Sequence, residues 1–284
     1  MDIAIRPATP RDRRGVFAAI RTVWGGNDYL LRTFDEWVLQ RRDRLYVAEL
    51  DGRIVGVARL AWFSPRDAWL ETLRVHPRFR HRGIGRELMR HRIAIAEAAG
   101  ARRVAFSTES HNESQIRSAR RLGFRRLTTL RWMVARARAG EAPRRAQPGD
   151  EASLWRLVRE RAATAAVLVH RDRGWRWQHL ERSDISAAIR AKRCFVSVGP
   201  RGVRAFAIVD PDKTNGELIA RVLVGDARGV GELLEHLRAV ARVRGLARVS
   251  AFRPEGRLEA TFRTAGYRAP WRFSAAYYER SLRG

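Results

Sequence analysis

Apolar and polar residues alternate over Ile3-Ala4-Ile5-Arg6, which predicts a short strand. Thr9-Pro10-Arg11-Asp12 then supplies an N-cap, a first-turn proline and an acid at the third position, so a helix starts there. Val16, Phe17, Ile20 and Val23 form its apolar face, and the loop Asn27-Asp28-Tyr29-Leu30-Leu31 leads to a second short helix with Phe34, Trp37 and Val38. Leu45 to Leu50, the pair Asp51-Gly52 and Ile54 to Leu60 read as a β-hairpin, because Asp-Gly suits the two-residue turn that strand twist favours. Trp69 to Val75 is the next strand, and a Pro-broken turn leads from it into a helix with Leu88, Met89, Ile93 and Ile95. Gly100 stops that helix, Arg103 to Ser107 is a strand, Asn112 to Leu122 is helical up to Gly123, and Leu127 to Val134 is a further strand. The order β, α, α, β, β, β, α, β, α, β occupies the chain to about Arg138, where Ala139-Gly140-Glu141-Ala142-Pro143 reads as a linker.

The remainder repeats this pattern. Ala8-Thr9-Pro10-Arg11-Asp12 returns as Ala146-Gln147-Pro148-Gly149-Asp150, and the hairpin from Val47 returns from Val196. Arg82-Gly83-Ile84-Gly85 is matched by Arg228-Gly229-Val230-Gly231, and Leu122-Gly123-Phe124 by Ala265-Gly266-Tyr267. The offsets drift only from 138 to 149 and the matches keep their order, which predicts a tandem duplication of one domain.

The most informative stretch runs from Glu71 to Met89. A strand enters an arginine- and glycine-rich turn, Arg80-His81-Arg82-Gly83-Ile84-Gly85-Arg86, which opens directly into a helix. Backbone N–H groups at a helix start lack intrahelical partners and sit at the positive end of the dipole, so a diphosphate can dock on them. Gly83 and Gly85 let the backbone approach the phosphate oxygens. The ordered set of strand, Pro77, Arg80-x-x-Gly83-x-Gly85 and amphipathic helix resembles the acetyl-CoA diphosphate loop of the GCN5-related N-acetyltransferase (GNAT) superfamily. The resemblance implies an α/β fold with a mixed sheet, built as two tandem acyl-CoA N-acyltransferase folds of which the second is degenerate. On this reading residues 1–138 are the catalytic domain, 139–145 a linker and 146–284 a domain without a complete CoA loop. In that second domain the path to the glycines is shorter, lacks the proline and the counterpart of Arg80, and places Asp226 where a diphosphate would sit.

The same resemblance implies acetyl-CoA as co-substrate, held by Arg80 to Arg86, by main-chain groups of Leu73 and Val75 with Arg74 between them, and by Asn112 on the pantetheine arm. Asn112 reads equally well as a plain helix N-cap. Period-two alternation puts Trp69, Glu71, Leu73 and Val75 on one strand face, where Glu71 is the only ionisable group. The family places a general base near this point, so Glu71 is the candidate base, with a structural ion pair as its alternative role. The tyrosine acid that many members carry on the later helix falls on Ala119 and is missing. A thiol leaving near its own pKa of about 8.5 can depart without that acid.

Asp28, Tyr29 and Phe34 border the implied acceptor site, a primary amine of a small molecule. Asp28-Tyr29-Leu30, Trp37 and the Glu-x-Leu-Arg-Val strand resemble the histidine N-acetyltransferase branch, whose acceptor is an amino-acid α-amine. Mycothiol-synthase-like enzymes, antibiotic-modifying enzymes and protein N-terminal acetyltransferases fit the layout too. So does a non-catalytic CoA-binding sensor or scaffold.

Composition changes this picture little. The formal charge of +27 suggests a polyanion surface, yet Lys192 and Lys213 are the only lysines and the arginines are scattered, which favours solvated faces over nucleic-acid binding. One cysteine, Cys194, precludes an intrachain disulfide, and no apolar run approaches the roughly 20 residues of a membrane span, so a soluble cytoplasmic protein is expected. His76, His81 and His111 lack metal-ligand spacing, and no metal is expected.

Overall fold

Asp51 and Gly52 turn the chain at φ +50° and +70°, the left-handed pair that a tight hairpin needs. Around such local signals the computed structural model, which describes residues 3–171 and 174–282, builds the elements in this order. They are β1 (Ala4–Pro7), α1 (Arg13–Ile20), α2 (Leu30–Trp37), β2 (Arg44–Leu50), β3 (Arg53–Ser64), β4 (Asp67–Val75), α3 (Ile84–Ala98), β5 (Arg103–Glu109), α4 (Glu113–Arg121), β6 (Arg125–Arg136) and β7 (Arg144–Arg145). There follow α5 (Glu151–Ala162), β8 (Leu168–His170), β9 (Trp177–His179), α6 (Arg182–Arg190), β10 (Cys194–Gly199), β11 (Gly202–Asp212), β12 (Glu217–Gly225), α7 (Ala227–Val243), β13 (Arg248–Pro254), α8 (Glu259–Thr264) and β14 (Ala275–Ser281). The fold is a mixed α/β fold. No helix among the described residues is long and apolar enough to cross a membrane.

The chain divides into two compact units. The first holds Met1–Ser107, Glu113–Arg125 and Tyr278–Gly284, and the second Thr108–Asn112 and Arg126–Tyr277. The boundary expected at residue 138 is therefore crossed in both directions: 126–138 count with the second unit and 278–284 with the first. The expected linker is also shorter, since Arg144 and Arg145 already pair with Val196 and Phe195.

In the first unit the strand order is β1-β2-β3-β4-β5-β14. β1 to β4 form an antiparallel meander, and β4 runs parallel to β5. Val16, Ile20, Leu30, Phe34, Leu45 and Val57 make one core, fed by the apolar faces of α1 and α2. The last strand is built firmly into this unit. Tyr278 stacks on Phe106 at 5.2 Å between ring centroids, Arg280 donates to the Leu122 carbonyl at the end of α4, and the Leu282 N–H donates to Arg102.

In the second unit the order is β6-β13-β12-β11-β10-β7, with β8 and β9 forming a separate ribbon. One core centres on Leu233, Leu237, Phe262 and Tyr267, another on Leu154, Ile185, Val196 and Phe206. One strand of each unit carries the same signature. β4 and β12 both have nine residues, both open on a carboxylate, and both pair that carboxylate with an arginine of the parallel neighbour, Asp67 with Arg103 and Glu217 with Arg248.

Candidate active site

The turn after β4 begins with His76, whose Nδ1 accepts a hydrogen bond from the Arg78 N–H at 3.2 Å. Pro77–Phe79 makes one 3-10 turn, and His81 and Gly83 then adopt φ of +64° and +84°. Gly83 is the residue before α3, and this left-handed conformation is one that L side chains rarely adopt. Among the described residues no side chain caps α3, so the N–H groups of Ile84, Gly85 and Arg86 open the helix without a carboxylate or hydroxyl on them. Glu87, the acid of the first turn, is taken up by Arg90 at 2.6 Å. The surroundings are positive. His76 is pushed below the usual histidine range by burial and by Arg78, Arg21, Arg53 and Arg80. Arg80 reaches back to the Val75 carbonyl at 3.4 Å, and Arg82 lies 5.5 Å over the Phe79 ring. A Cβ on Gly85 would stand 3.7 Å from Leu73 and Val75, whose side chains form the floor beneath it.

The start of α7 is built differently. Asp226 accepts from the Gly229 N–H at 2.7 Å and is held by Arg204 through two bonds of 3.1 Å. A Cβ on Gly229 would approach the Cβ atoms of Ala205 and Arg204 to 2.9 Å, so this glycine serves close packing against β11. A capped helix start pressed onto a strand leaves no cradle.

Upstream of the first turn, β4 carries a bulge. Arg59 pairs with Glu71 and Val57 with Arg74, so Thr72 and Leu73 oppose the single residue Ala58. Thr72 has φ +56° and is 4% exposed, a strained conformation for a β-branched side chain. From below, buried Arg92 of α3 donates to the carbonyls of Glu71 (3.1 Å), Arg59 (2.8 Å) and Leu88 (3.0 Å). Burial pushes its guanidinium down to about 9, opposed by the nearby Glu71, and it remains a cation at neutral pH. From above, the Tyr29 hydroxyl shares a 2.9 Å hydrogen bond with Thr72 Oγ1. The β4–β5 ladder holds only Asp67–Trp69 against Arg103–Ala105, while β4 runs on to Val75.

Glu71 is ion-paired with Arg59, whose other contacts are Gln40 (2.6 Å), Asp43 (3.2 Å) and the face of Trp37 (4.1 Å). Asp28 is fully buried and accepts from the Leu30 N–H at 2.9 Å and from Arg74 at 2.6 Å. The Arg74 side chain is thus turned to Asp28, where a cofactor contact had been expected. Phe34, expected at the acceptor, is fully buried against Phe17 in the core and presents no surface to a ligand. Tyr29 lies edge-on to Trp37 at 5.9 Å with Arg74 5.4 Å from its ring, and burial raises its hydroxyl above the usual range, opposed by Arg74 and the Thr72 bond. Asn112 falls in the short segment of the second unit, where it donates to Thr108 Oγ1 at 3.1 Å. Ala119 is fully buried, and its carbonyl accepts from Leu122 and Phe124 at the end of α4.

Arg59, Thr72 and Arg92 were not singled out from sequence. Arg92 leaves a signal, a charge four residues after Leu88 and four before Ala96 on the buried helix face. Arg59 leaves another, a charge inside an apolar strand.

Residues 15–124 match the Acetyltransferase (GNAT) family. The whole chain is similar in fold to a GCN5-related N-acetyltransferase from Sphaerobacter thermophilus, with 16% identity, 99% of this chain and 96% of that one covered, and a TM-score of 0.64. It is also similar to a tandem GNAT protein from the clavulanic acid biosynthesis pathway, with 15% identity, 100% and 99% covered, and a TM-score of 0.52. A GCN5-related N-acetyltransferase from Kribbella flavida matches at 18% identity, 99% and 72% covered, and a TM-score of 0.51. The match to the GNAT family covers residues 15–124, and the likeness of the whole chain to these structures is one of fold.

Proposed function

We propose that the first unit transfers the acetyl group of acetyl-CoA directly to a primary amine of a small molecule, in a ternary complex. The observation that carries this reading is the uncapped start of α3 behind the left-handed His81 and Gly83, set among arginines, in contrast to the capped start of α7. The diphosphate rests on the N–H groups of Ile84 to Arg86 with Arg80 and Arg82 beside it, and the pantetheine arm lies along the free edge of β4 past Val75 and Leu73.

Glu71 is the base that takes the ammonium proton of the acceptor. Gln40, Asp43 and Trp37 fix Arg59, so the carboxylate is held in one orientation while the amine enters. Tyr29 borders the acceptor. The Asp28-Tyr29-Leu30 pattern favours an amino-acid α-amine, such as that of histidine, within this class. The second unit, with Asp226 on its helix start, takes no cofactor.

The test is CoA release from acetyl-CoA with a panel of amino acids, polyamines, aminoglycosides and N-terminal peptides, run for the wild type and Glu71→Gln. The glutamine still accepts from Arg59 but cannot take a proton, so kcat with the best alkylamine should fall about 100-fold or more at pH 7. An unchanged pH–rate profile in Glu71→Gln would remove the base. Protection by acetyl-CoA with no acceptor turned over would favour a sensor.

A further inference from the structure

We propose that the first unit carries a second anion site, separate from the turn before α3, in the cavity between α1, the β2–β3 turn and His76–Phe79. Its ligand is a small dianion with an apolar body, a phosphate monoester or a dicarboxylate. The cavity encloses about 520 Å³, an ordinary size for a small-molecule site. Ala18, Ala19, Ile54, Val55 and Phe79 supply apolar wall. Gly15 brings α1 so close to β3 that a Cβ there would stand 2.9 Å from the Ile54 side chain, which closes the floor.

The charges of the lining are sorted. Both of its carboxylates belong to Arg6, which donates to Asp12 at 2.8 Å from each Nη and to Glu49 at 3.1 Å from Nε and 2.9 Å from Nη2. Arg11, Arg53 and Arg78 stand exposed around the same cavity, and among the described residues none of these three guanidiniums has a hydrogen bond or an ion pair. They come from the turn into α1, the start of β3 and the turn after β4, so the fold gathers them from distant parts of the sequence. Cations gathered on a concave, partly apolar wall focus a field that an anion neutralises, and guanidiniums take phosphate or carboxylate oxygens in pairs. The His76 imidazole registers this field, since Arg78, Arg21, Arg53 and Arg80 add to burial in pushing it below the usual histidine range. A comparable cavity of about 460 Å³ in the second unit lies between α5, the β10–β11 turn and the end of β12. Its lining sets Glu160 and Asp226 against Arg161, Arg201 and Arg204, with Asp226 held by Arg204, and is closer to neutral. The cationic lining of the first cavity therefore comes from its residues and not from the space alone.

Isothermal titration calorimetry of the full chain at pH 8 tests this with phenyl phosphate and with phthalate, both dianions on one apolar ring, at an ionic strength fixed by sodium chloride. At least one of them should saturate a single site per chain, and should do so again in the presence of saturating acetyl-CoA. Arg53→Gln and Arg11→Gln, both at exposed positions that the fold does not need, should each weaken that binding about tenfold, the worth of one charged hydrogen-bonding partner. Arg201→Gln, on the second unit's cavity, should leave it unchanged, and acetyl-CoA protection against thermal unfolding should be the same in all three variants. Saturation by phenyl phosphate alone identifies a phosphate-ester site and by phthalate alone a dicarboxylate site, and either result supports the proposal. Heats from both probes that never saturate overturn it. So does binding that acetyl-CoA abolishes, which puts the anion on the turn before α3. Equal affinity in Arg53→Gln and Arg201→Gln, whether both lose or neither does, overturns it as well, because the probe then answers to net charge. If acetyl-CoA itself does not bind, the acetyl-transfer reading fails, while the titrations of the wild type and the three variants still decide this site.

Discussion

At the residue scale the first unit is organised by charges placed where their counter-charges are fixed. Asp12 is 7% exposed, accepts two 2.8 Å bonds from Arg6 and also caps the Thr9 N–H at 2.7 Å. Arg6 holds its carboxyl at about 2, below the ordinary 3.8, against the opposing effect of burial. A folded pKa below the unfolded one means that the unfolded state binds more protons at acid pH. The stabilisation is complete above the ordinary aspartate range near pH ~4 and disappears as pH falls through about 2. Arg6 is 40% exposed, which screens the pair, so Asp12→Asn should destabilise by about 1–2 kcal/mol at pH 7. Urea titrations at pH 7 and pH 2 check this, with the difference between the proteins shrinking at the lower pH. The ion pair of Glu71 with Arg59 is fixed in turn by Gln40 and Asp43.

At the scale of elements, two helix starts with similar glycine patterns do opposite things. α3 begins at a left-handed glycine with its N–H groups uncapped, while α7 begins on Asp226 with Gly229 against Ala205. Gly85→Ala meets nothing closer than 3.7 Å, its methyl facing Leu73 and Val75, and should leave the melting temperature unchanged or slightly raised. Gly229→Ala forces a 2.9 Å contact and should cost about 1–3 kcal/mol with no effect on the affinity of the first unit. Calorimetric titration with acetyl-CoA should give one site per chain, kept in Gly229→Ala.

At the scale of the whole molecule, the first unit is completed by the last residues of the chain. Tyr278 is 2% exposed and stacked on Phe106, so Tyr278→Ala should cost about 3–5 kcal/mol. A fragment ending at residue 138 lacks the strand altogether. Expressed alone it should show neither a cooperative melt nor protection by acetyl-CoA, and co-expression with 139–284 should restore both. A fragment that melts cooperatively and binds would show that the first unit stands without 278–284.

Much of this was legible in the order of residues, because it depends on local chemistry. Asp51-Gly52 specifies its turn, Thr9 to Asp12 its helix entry, and Pro77 to Gly85 its helix start, each through near neighbours. The repeat expected from sequence rests on matching signals that recur in one order. Which sheet takes the final strand was not, since its alternation suits any open edge and tertiary packing chose Phe106 as the partner of Tyr278. Nor was the bulge at Thr72 legible, or the convergence on it of Tyr29 from 43 residues upstream and Arg92 from α3. Sequence determined the elements, the glycine-rich turn before α3 and the carboxylate on β4. The tertiary structure decided that this carboxylate is paired with Arg59, that Phe34 is core and that a tyrosine hydroxyl stands at the bulge, because burial and long-range hydrogen bonds are set by contacts between distant residues.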